Sequence, residues 1–351
     1  MTVNLVFLDS EFGIVQKAPL IQEFVWNRKW YTFGEFSIMC MPIANLDIIK
    51  YIYHETYEQI GIVQKLEYDS VRKMVIFRGF FGEYLLTDDI IYPQYNLTTP
   101  KTPIQIVYDL VENYSSLKNL VVDKSLNPDI EKTLLQDIGT ELGYKLYDIL
   151  GENFSYNLNL NFDTNELVFK VVEGKDRTDK QDLYPQMTFE TSRQNIKQFS
   201  YSNDDSNYKN YVVISAQDRR KGNEGQRIYY EYDGSMGEPI QKIYVEETRV
   251  FYDGSITLEE FNDVLKQKAI EKLAKFSIIE NIRLTVFSDY YRKSYDLGDK
   301  VNVILTDPNK YLNIKTTATI TEVKEVYSEG KQNIEVVIGN VIPTIYGKAR
   351  L

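Results

Sequence analysis

The sequence has 351 residues, of which 43% are hydrophobic, 13% aromatic and 26% charged, with 40 basic and 51 acidic side chains for a formal charge of -11. This composition belongs to a globular chain long enough for two or three domains, and its acidity disfavours phosphate backbones and anionic membranes as partners. A single cysteine, Cys40, and a single histidine, His54, exclude an internal disulfide, a Cys or Cys/His zinc cluster and a two-histidine metal site.

Residues 1–95 read as short alternating runs separated by turns. Val3, Leu5 and Phe7 alternate, Gln22 to Tyr31 is rich in β-branched and aromatic residues, and further runs follow at Phe36 to Met41, Gln59 to Tyr68 and Met74 to Phe81. Such recurrence predicts a small barrel or sandwich. Asn45 to Tyr53 reads as one short helix, with Asn45 as N-cap and Leu46, Ile49 and Ile52 or Tyr53 on one face. Cys40 lies in the apolar run Ile38-Met39-Cys40-Met41 and is expected in the core. His54 is expected as a surface or half-buried structural residue.

From 96 to 190 the pattern is that of an α+β module. Thr102-Pro103-Ile104-Gln105 is a capping box with proline at the first helical position, followed by Ile106, Val107, Leu110, Val111 and Tyr114 at helical spacing. A second helix is predicted from Asn127-Pro128, with Ile130, Leu134, Leu135, Ile138 and Leu142 on one face and Gly143 as a stop or break. Tyr156 to Phe162 alternates, Asp163-Thr164-Asn165 turns, and Leu167, Phe169 and Val171 alternate again, predicting a hairpin. The polar stretch Gly174 to Asp182 reads as a linker.

Residues 191–351 return to β structure. Strands are predicted at Gln198 to Tyr201 and Tyr211 to Ser215, with a polar loop at Ser202 to Asn210, and Asp218 to Gly222 is expected as a solvated hairpin tip. Thr257-Leu258-Glu259-Glu260 is a second capping box opening a helix near 257–276. Ile282 to Val286, Val301 to Leu305, Thr316 to Val323 and Ile334 to Ile338 follow as strands. The expected fold class is therefore mainly β, two small β-barrel-like domains (1–95 and 191–351) flanking a helix-and-hairpin module.

Chemistry-bearing motifs are scarce. Gly79-Phe80-Phe81-Gly82 is the nearest approach to a phosphate loop, and bulky residues fill it. Adjacent acidic pairs, Asp88-Asp89, Asp204-Asp205, Glu246-Glu247 and Glu259-Glu260, are expected by chance among 51 acidic residues. Asn161 to Glu166 and Asn203 to Asn207 lack EF-hand spacing and read as turns. No catalytic set, cofactor site or metal site is expected, and the longest uncharged run, Val336 to Gly347 with Pro343 inside it, is too short to span a bilayer as a helix. The abundant aromatics, 28 Tyr and 17 Phe, suit protein interfaces or sugar-binding surfaces.

Trp30-Tyr31-Thr32-Phe33-Gly34-Glu35-Phe36-Ser37-Ile38 followed by Pro42, then Ile60-Gly61-Ile62-Val63, Phe77-Arg78-Gly79, Asn210-Tyr211-Val212-Val213 and Tyr295-Asp296-Leu297-Gly298-Asp299-Lys300-Val301, resemble in order the strands of a family of phage tail hub proteins found in siphophages and contractile tail-like particles. The resemblance implies structural roles for Trp30, Gly34, Phe36, Pro42, Gly61, Gly79, Leu297, Gly298 and Asp299. It further implies a homotrimer with two barrel domains per chain, a ring of pseudo-six-fold symmetry joining a hexameric tail tube to a trimeric spike. Its partners would be other copies of the chain, tube or tube-initiator protein, spike or tip protein and baseplate wedge proteins. The particle would assemble in the bacterial cytoplasm, without stable nucleic-acid binding or membrane insertion. The alternatives from other classes are a carbohydrate-binding tail adhesin and a tail-associated glycan hydrolase.

Overall fold

Alternation of apolar and polar residues sets the first seven strands. In the computed structural model, which describes residues 4–339 except 18, 224, 308, 310 and 329, these are β1 (Leu5–Leu8), β2 (Ile14–Lys17), β3 (Ile21–Lys29), β4 (Glu35–Cys40), β5 (Tyr51–His54), β6 (Gln59–Asp69) and β7 (Met74–Phe81). They pair antiparallel in the order β3-β4-β7-β6-β5-β1-β2. Phe24, Trp26, Phe36, Ile38, Cys40, Val75 and Phe77 share one buried cluster, as period-two spacing requires. The helix expected over Asn45–Tyr53 is not formed: a single 3-10 turn occupies Leu46–Ile48, and Tyr51–His54 instead bonds to β1 and β6 on its two sides. Ladder bonds on both edges outweigh a weak local helical pattern.

The middle of the chain contributes β8 (Tyr95–Asn96), α1 (Pro103–Tyr114), β9 (Leu120–Asp123), β10 (Gln136–Asp137), α2 (Leu142–Leu150), β11 (Phe154–Asn161) and β12 (Glu166–Glu173). The capping box of α1 is made in full: Gln105 N donates to Thr102 Oγ1 and Thr102 N to Gln105 Oε1, each at 3.2 Å. The helix expected from Asn127 is absent. Leu134 and Leu135 are buried in different cores, one beneath the three-stranded sheet described below and the other beneath α1 and α2. Adjacent residues facing opposite ways demand extended chain, and Thr133 and Leu135 bond to Lys101 and Leu97 instead of closing helical turns. Gly143 does not end a helix but sits in the first turn of α2, where a Cβ would come within 3.1 Å of the Leu86 and Thr87 backbone.

The last part contains β13 (Thr188–Glu190), β14 (Ile196–Asp204), β15 (Tyr211–Asp218), β16 (Arg227–Asp233), β17 (Lys242–Tyr252), α3 (Leu258–Ala274), β18 (Ile279–Val286), β19 (Lys300–Thr306), β20 (Asn313–Ser328) and β21 (Lys331–Gly339). β14 runs through Asp204, so the polar loop begins later than the sequence suggests. The sheet β16-β15-β17 and α3 form an insertion with its own core of Val212, Ile214, Val250, Phe261, Val264 and Leu265. Strands β16 and β17 were not expected, although Ile228, Tyr230 and Tyr232 alternate on the buried face. Leu258, the first residue of α3, is 47% exposed.

The remaining strands run β14-β18-β21-β20-β19-β13, with only β13 against β19 parallel. This order repeats that of the first set: β14 stands where β3 does, β18 for β4, β21 for β7, β20 for β6 and β19 for β5. Irregularities in register recur at matching places, between Ile21 and Glu23 in β3 and between Ile196 and Gln198 in β14. They recur again between Val63 and Lys65 in β6 and between Ile320 and Glu322 in β20. The two sets are joined by the antiparallel pair β3 and β20, from Lys29 opposite Glu322 to Glu23 opposite Ser328. The described residues are thus mostly β, 47% strand and 16% helix, and no ladder among them closes either set into a barrel.

Candidate functional site

The residues singled out from the sequence gather in two places. In the first, Phe36 is buried between Trp26 and Phe81, with ring centroids 5.7 Å and 6.4 Å away. The glycines leave room for it: a Cβ at Gly61 would lie 2.5 Å from the Phe36 ring, one at Gly79 only 1.8 Å from the Ile62 carbonyl oxygen, and one at Gly34 2.5 Å from the Phe81 ring. Large aromatic rings on adjacent strands therefore require glycines across from them. Trp26 Nε1 donates to Gln59 Oε1 at 2.8 Å, satisfying the one polar atom the burial would otherwise strand.

The second place is the junction of the two strand sets. Trp30 follows β3, and its indole lies against Gly298, whose φ of +87° and contact with the ring both favour glycine: a Cβ there would sit 2.4 Å from the indole. Trp30 Nε1 donates to the Glu152 carbonyl at 2.9 Å, and Ser155 Oγ donates to the Trp30 carbonyl at 2.6 Å. Asp299, 3% exposed, accepts from Lys175 N at 3.0 Å, Arg177 Nε at 2.6 Å and Asp296 N at 2.9 Å. Leu297 packs at the edge of the second core. The Leu-Gly-Asp turn thus clamps the end of β3, the segment 174–177 and, through Gly298 N to Ile320 O and Ile320 N to Asp299 O, strand β20. Pro42 joins neither group; it is exposed in the turn after β4.

Around this junction lie residues that the sequence reading did not pick out. Arg28 donates to Asp296 at 2.7 Å and to the Tyr291 hydroxyl at 2.9 Å. Burial opposes the charge, but Tyr291 and Asp296 more than restore it and hold the guanidinium pKa above its ordinary value. Tyr57 donates to Glu325 Oε2 at 2.8 Å, while Arg292 lies over its ring at 3.2 Å and His54 stacks on it at 4.0 Å. His54 is therefore a core residue, 5% exposed, rather than a surface one; burial first and Arg292 second pull its pKa down to about 4. Cys40 is buried as expected, and burial pushes its thiol up to about 12.

A second buried ionic group ties the middle module to the insertion. Lys145 of α2 and Lys268 of α3 both reach Asp137, at 3.3 Å and 3.0 Å, and Glu271 receives Lys145 at 3.1 Å. Burial raises the Asp137 carboxyl pKa, yet the two ammonium groups reverse this and hold it well below the usual range.

The acidic pairs have structural partners. Asp89 accepts from Ser116 N, Asp204 from Ser206 N and Glu247 from Arg249 N, Glu246 pairs with Arg227, and Glu260 caps α3. The basic run after Asp218 is a hairpin tip, with Arg219 over Phe251 at 3.9 Å and Arg220 over Tyr252 at 4.7 Å. Among the described residues no group of three or more His, Cys, Asp or Glu could hold a metal ion, and no helix is long and apolar enough to cross a membrane. Pro343 and the rest of the uncharged run after Gly339 lie outside the described residues.

Two joined strand sets with an inserted sheet and helix define a known architecture, that of phage tail proteins. The structure is similar over 97% of its length to 97% of a tail protein from Neisseria meningitidis MC58, with TM-score 0.58 and 13% identity. It is similar to prophage tail protein gp18 from Listeria monocytogenes EGD-e at TM-score 0.56, 13% identity, covering 97% and 96% of the two chains. The 43 kDa tail protein of prophage MuSo2 from Shewanella oneidensis gives 0.54, 13%, 95% and 98%. No curated protein matches the chain. The model of the family described as Siphovirus ReqiPepy6 Gp37-like protein matches residues 106–340, and the chain belongs to that family.

Proposed function

We propose that this chain is a structural hub of a phage tail or tail-like particle, a homotrimeric ring that joins a six-fold tail tube to a three-fold spike. The observation that carries the reading is the repeat within the fold: two strand sets of the same order, with register irregularities at the same places, held in one chain. Three chains carrying two equivalent modules each can present six similar surfaces on one side and three on the other. In this reading residues 1–95 and 191–351 supply the barrel-like domains and 96–190 the module between them. The cluster around Phe36 fills the core of the first domain, the cluster around Trp30, Gly298 and Asp299 serves the joint between the domains, and the chain performs no catalysis. Its partners are further copies of itself, tube or tube-initiator protein, spike or tip protein and wedge proteins. It assembles in the bacterial cytoplasm before residing in the particle.

The test is a reconstruction of the assembled tail tip, supported by mass measurement of the purified chain alone and with tube protein. A ring of three chains stacked on the tube is expected. A distal, peripheral position, with stabilisation by glycans, would replace the hub by an adhesin. The formal charge of -11 leads to a second expectation for the same ring, an acidic inner wall that does not retain DNA; a basic wall would remove it.

A further inference from the structure

The ladder between β3 and β20 has a counterpart that no strand among the described residues fills. β14 stands in the second set where β3 stands in the first, and alignment at the shared irregularities places Asp204 where Lys29 is and Tyr201 where Trp26 is. Likewise β6 stands where β20 stands, which places Lys65 where Glu322 is and Tyr68 where Glu325 is. Within the chain the outer half of β20, from Glu322 to Ser328, is covered by β3. Among the described residues the corresponding half of β6 carries no strand on its outer edge, since β5 covers only Gln59 to Ile62 and β11 only Gln59. The outer edge of β14 is also unpaired among the described residues, because that strand ends the sheet. An unpaired strand edge invites another chain.

From this match we infer that a second copy of this chain docks the edge of its β14 against the outer half of β6. The strands run antiparallel, with Asp204 opposite Lys65, Asn203 opposite Leu66, Ser202 opposite Glu67, Tyr201 opposite Tyr68 and Ser200 opposite Asp69. The charges agree with this register. Lys29 faces Glu322 in the internal joint, and Asp204 facing Lys65 restores an opposite pair with the signs exchanged. The apolar side chains on the β6 half, Leu66 at 44% and Tyr68 at 59% exposure, gain cover from the incoming strand. Each copy gives one edge and accepts one, so the contact is heterologous and can close into a ring. The inference rests on the ring proposed above, for which it names the contacting strands and their register.

The experiment mixes two single variants, Glu67→Cys and Ser202→Cys, so that any new disulfide between them is intermolecular. Facing residues of an antiparallel pair lie within disulfide reach. Mild oxidation should yield covalent heterodimers from this mixture and at least tenfold fewer from Glu67→Cys with Gln198→Cys, four residues out of register. Lys65→Glu should lower the yield several-fold and Asp204→Lys, placed in the partner, should restore it. Equal yields from matched and mismatched mixtures overturn the register. A trimer by mass without the matched disulfide overturns the edge pairing while leaving the ring. The matched disulfide in dimers or open polymers keeps the edge pairing and overturns the ring, and a monomer that never links overturns both.

Discussion

Trp30 and Gly298 meet at the junction of the two strand sets, and the contact is close enough that a single methyl group at position 298 would fall 2.4 Å from the indole. Both partners are set by their surroundings. The indole is fixed by its bond to Glu152, and the glycine by a φ of +87° in the turn before Asp299. The joint between the halves of the chain therefore has little freedom to adjust.

Gly298→Ala should cost about 2–4 kcal/mol, the sum of a left-handed backbone penalty and overpacking against the ring. Gly139→Ala separates the two contributions, because Gly139 also has positive φ, +72°, but nothing within 4 Å of a Cβ; its cost should stay near 1 kcal/mol. Urea unfolding midpoints of the two variants provide the measurement. Equal losses would mean that the indole contact contributes nothing.

Asp299→Ala removes three acceptor contacts at once and leaves the half-buried Arg177 without its carboxylate. The expected loss is about 3–5 kcal/mol. Because the freed segment holds Lys175, Arg177 and Lys180, trypsin should cut between 174 and 181 far faster than in the unaltered protein. Unchanged cleavage there would show that the Asp299 clamp does not hold this loop.

Lys145→Ala should destabilise by about 3–5 kcal/mol, since Asp137 and Glu271 remain buried with one ammonium instead of two. An exposed lysine pair makes the comparison: Lys124 with Glu112, at 52% and 43% side-chain exposure, should lose less than about 1 kcal/mol when Lys124 becomes Ala. Thermal unfolding distinguishes the two outcomes.

Two buried groups act on stability with opposite signs of pH dependence. His54 has its pKa lowered to about 4 in the folded chain, so the unfolded chain binds the extra proton, and stability is lost as pH falls from about 6.5 towards 4. Glu83 is raised to about 7 by burial, against the weaker opposing help of its backbone bonds, so the folded chain holds the extra proton and stability falls as pH rises from about 4.5 to 7. The two slopes offset each other across about pH 4.5 to 6.5. Glu83→Gln should remove one of them, leaving a variant up to about 3 kcal/mol more stable than the parent at pH 8 and with a steeper loss on acidification. Denaturant titrations at pH 5, 6.5 and 8 measure this; a parallel profile for variant and parent would refute the assignment to Glu83.

Much of the fold was legible locally. Thr102 with Gln105 and Thr257 with Glu260 announce α1 and α3, and both capping boxes are formed. The alternation on either side of Asp163-Thr164-Asn165 announces β11 and β12, which pair from Phe154 opposite Glu173 to Asn161 opposite Glu166. The failures share a cause. Asn127 to Leu142 has helical spacing, but Leu134 and Leu135 serve two cores. Asn45 to Tyr53 has a helical face, but β1 and β6 offer ladders to its second half. Each of the motif residues could be named from the chain; that Trp30 would rest on Gly298, or that three glycines would surround the rings of Phe36 and Phe81, could not.

The sequence by itself determined the mainly β class, the starts of α1 and α3, the core place of Cys40 and the absence of a second cysteine or histidine. These depend on side-chain type and on spacing within a few residues, where caps and alternation act. The tertiary structure alone decided that β3 would pair with β20, that His54 would be enclosed by Tyr57 and Trp26, and that, among the described residues, the outer half of β6 and the edge of β14 would be left without a strand. Burial is non-directional and ladder bonds are alike in every strand, so the choice among distant partners falls to the few places where shape and charge admit one arrangement: a glycine under an indole, a carboxylate between Arg177 and two amides, a lysine opposite a glutamate.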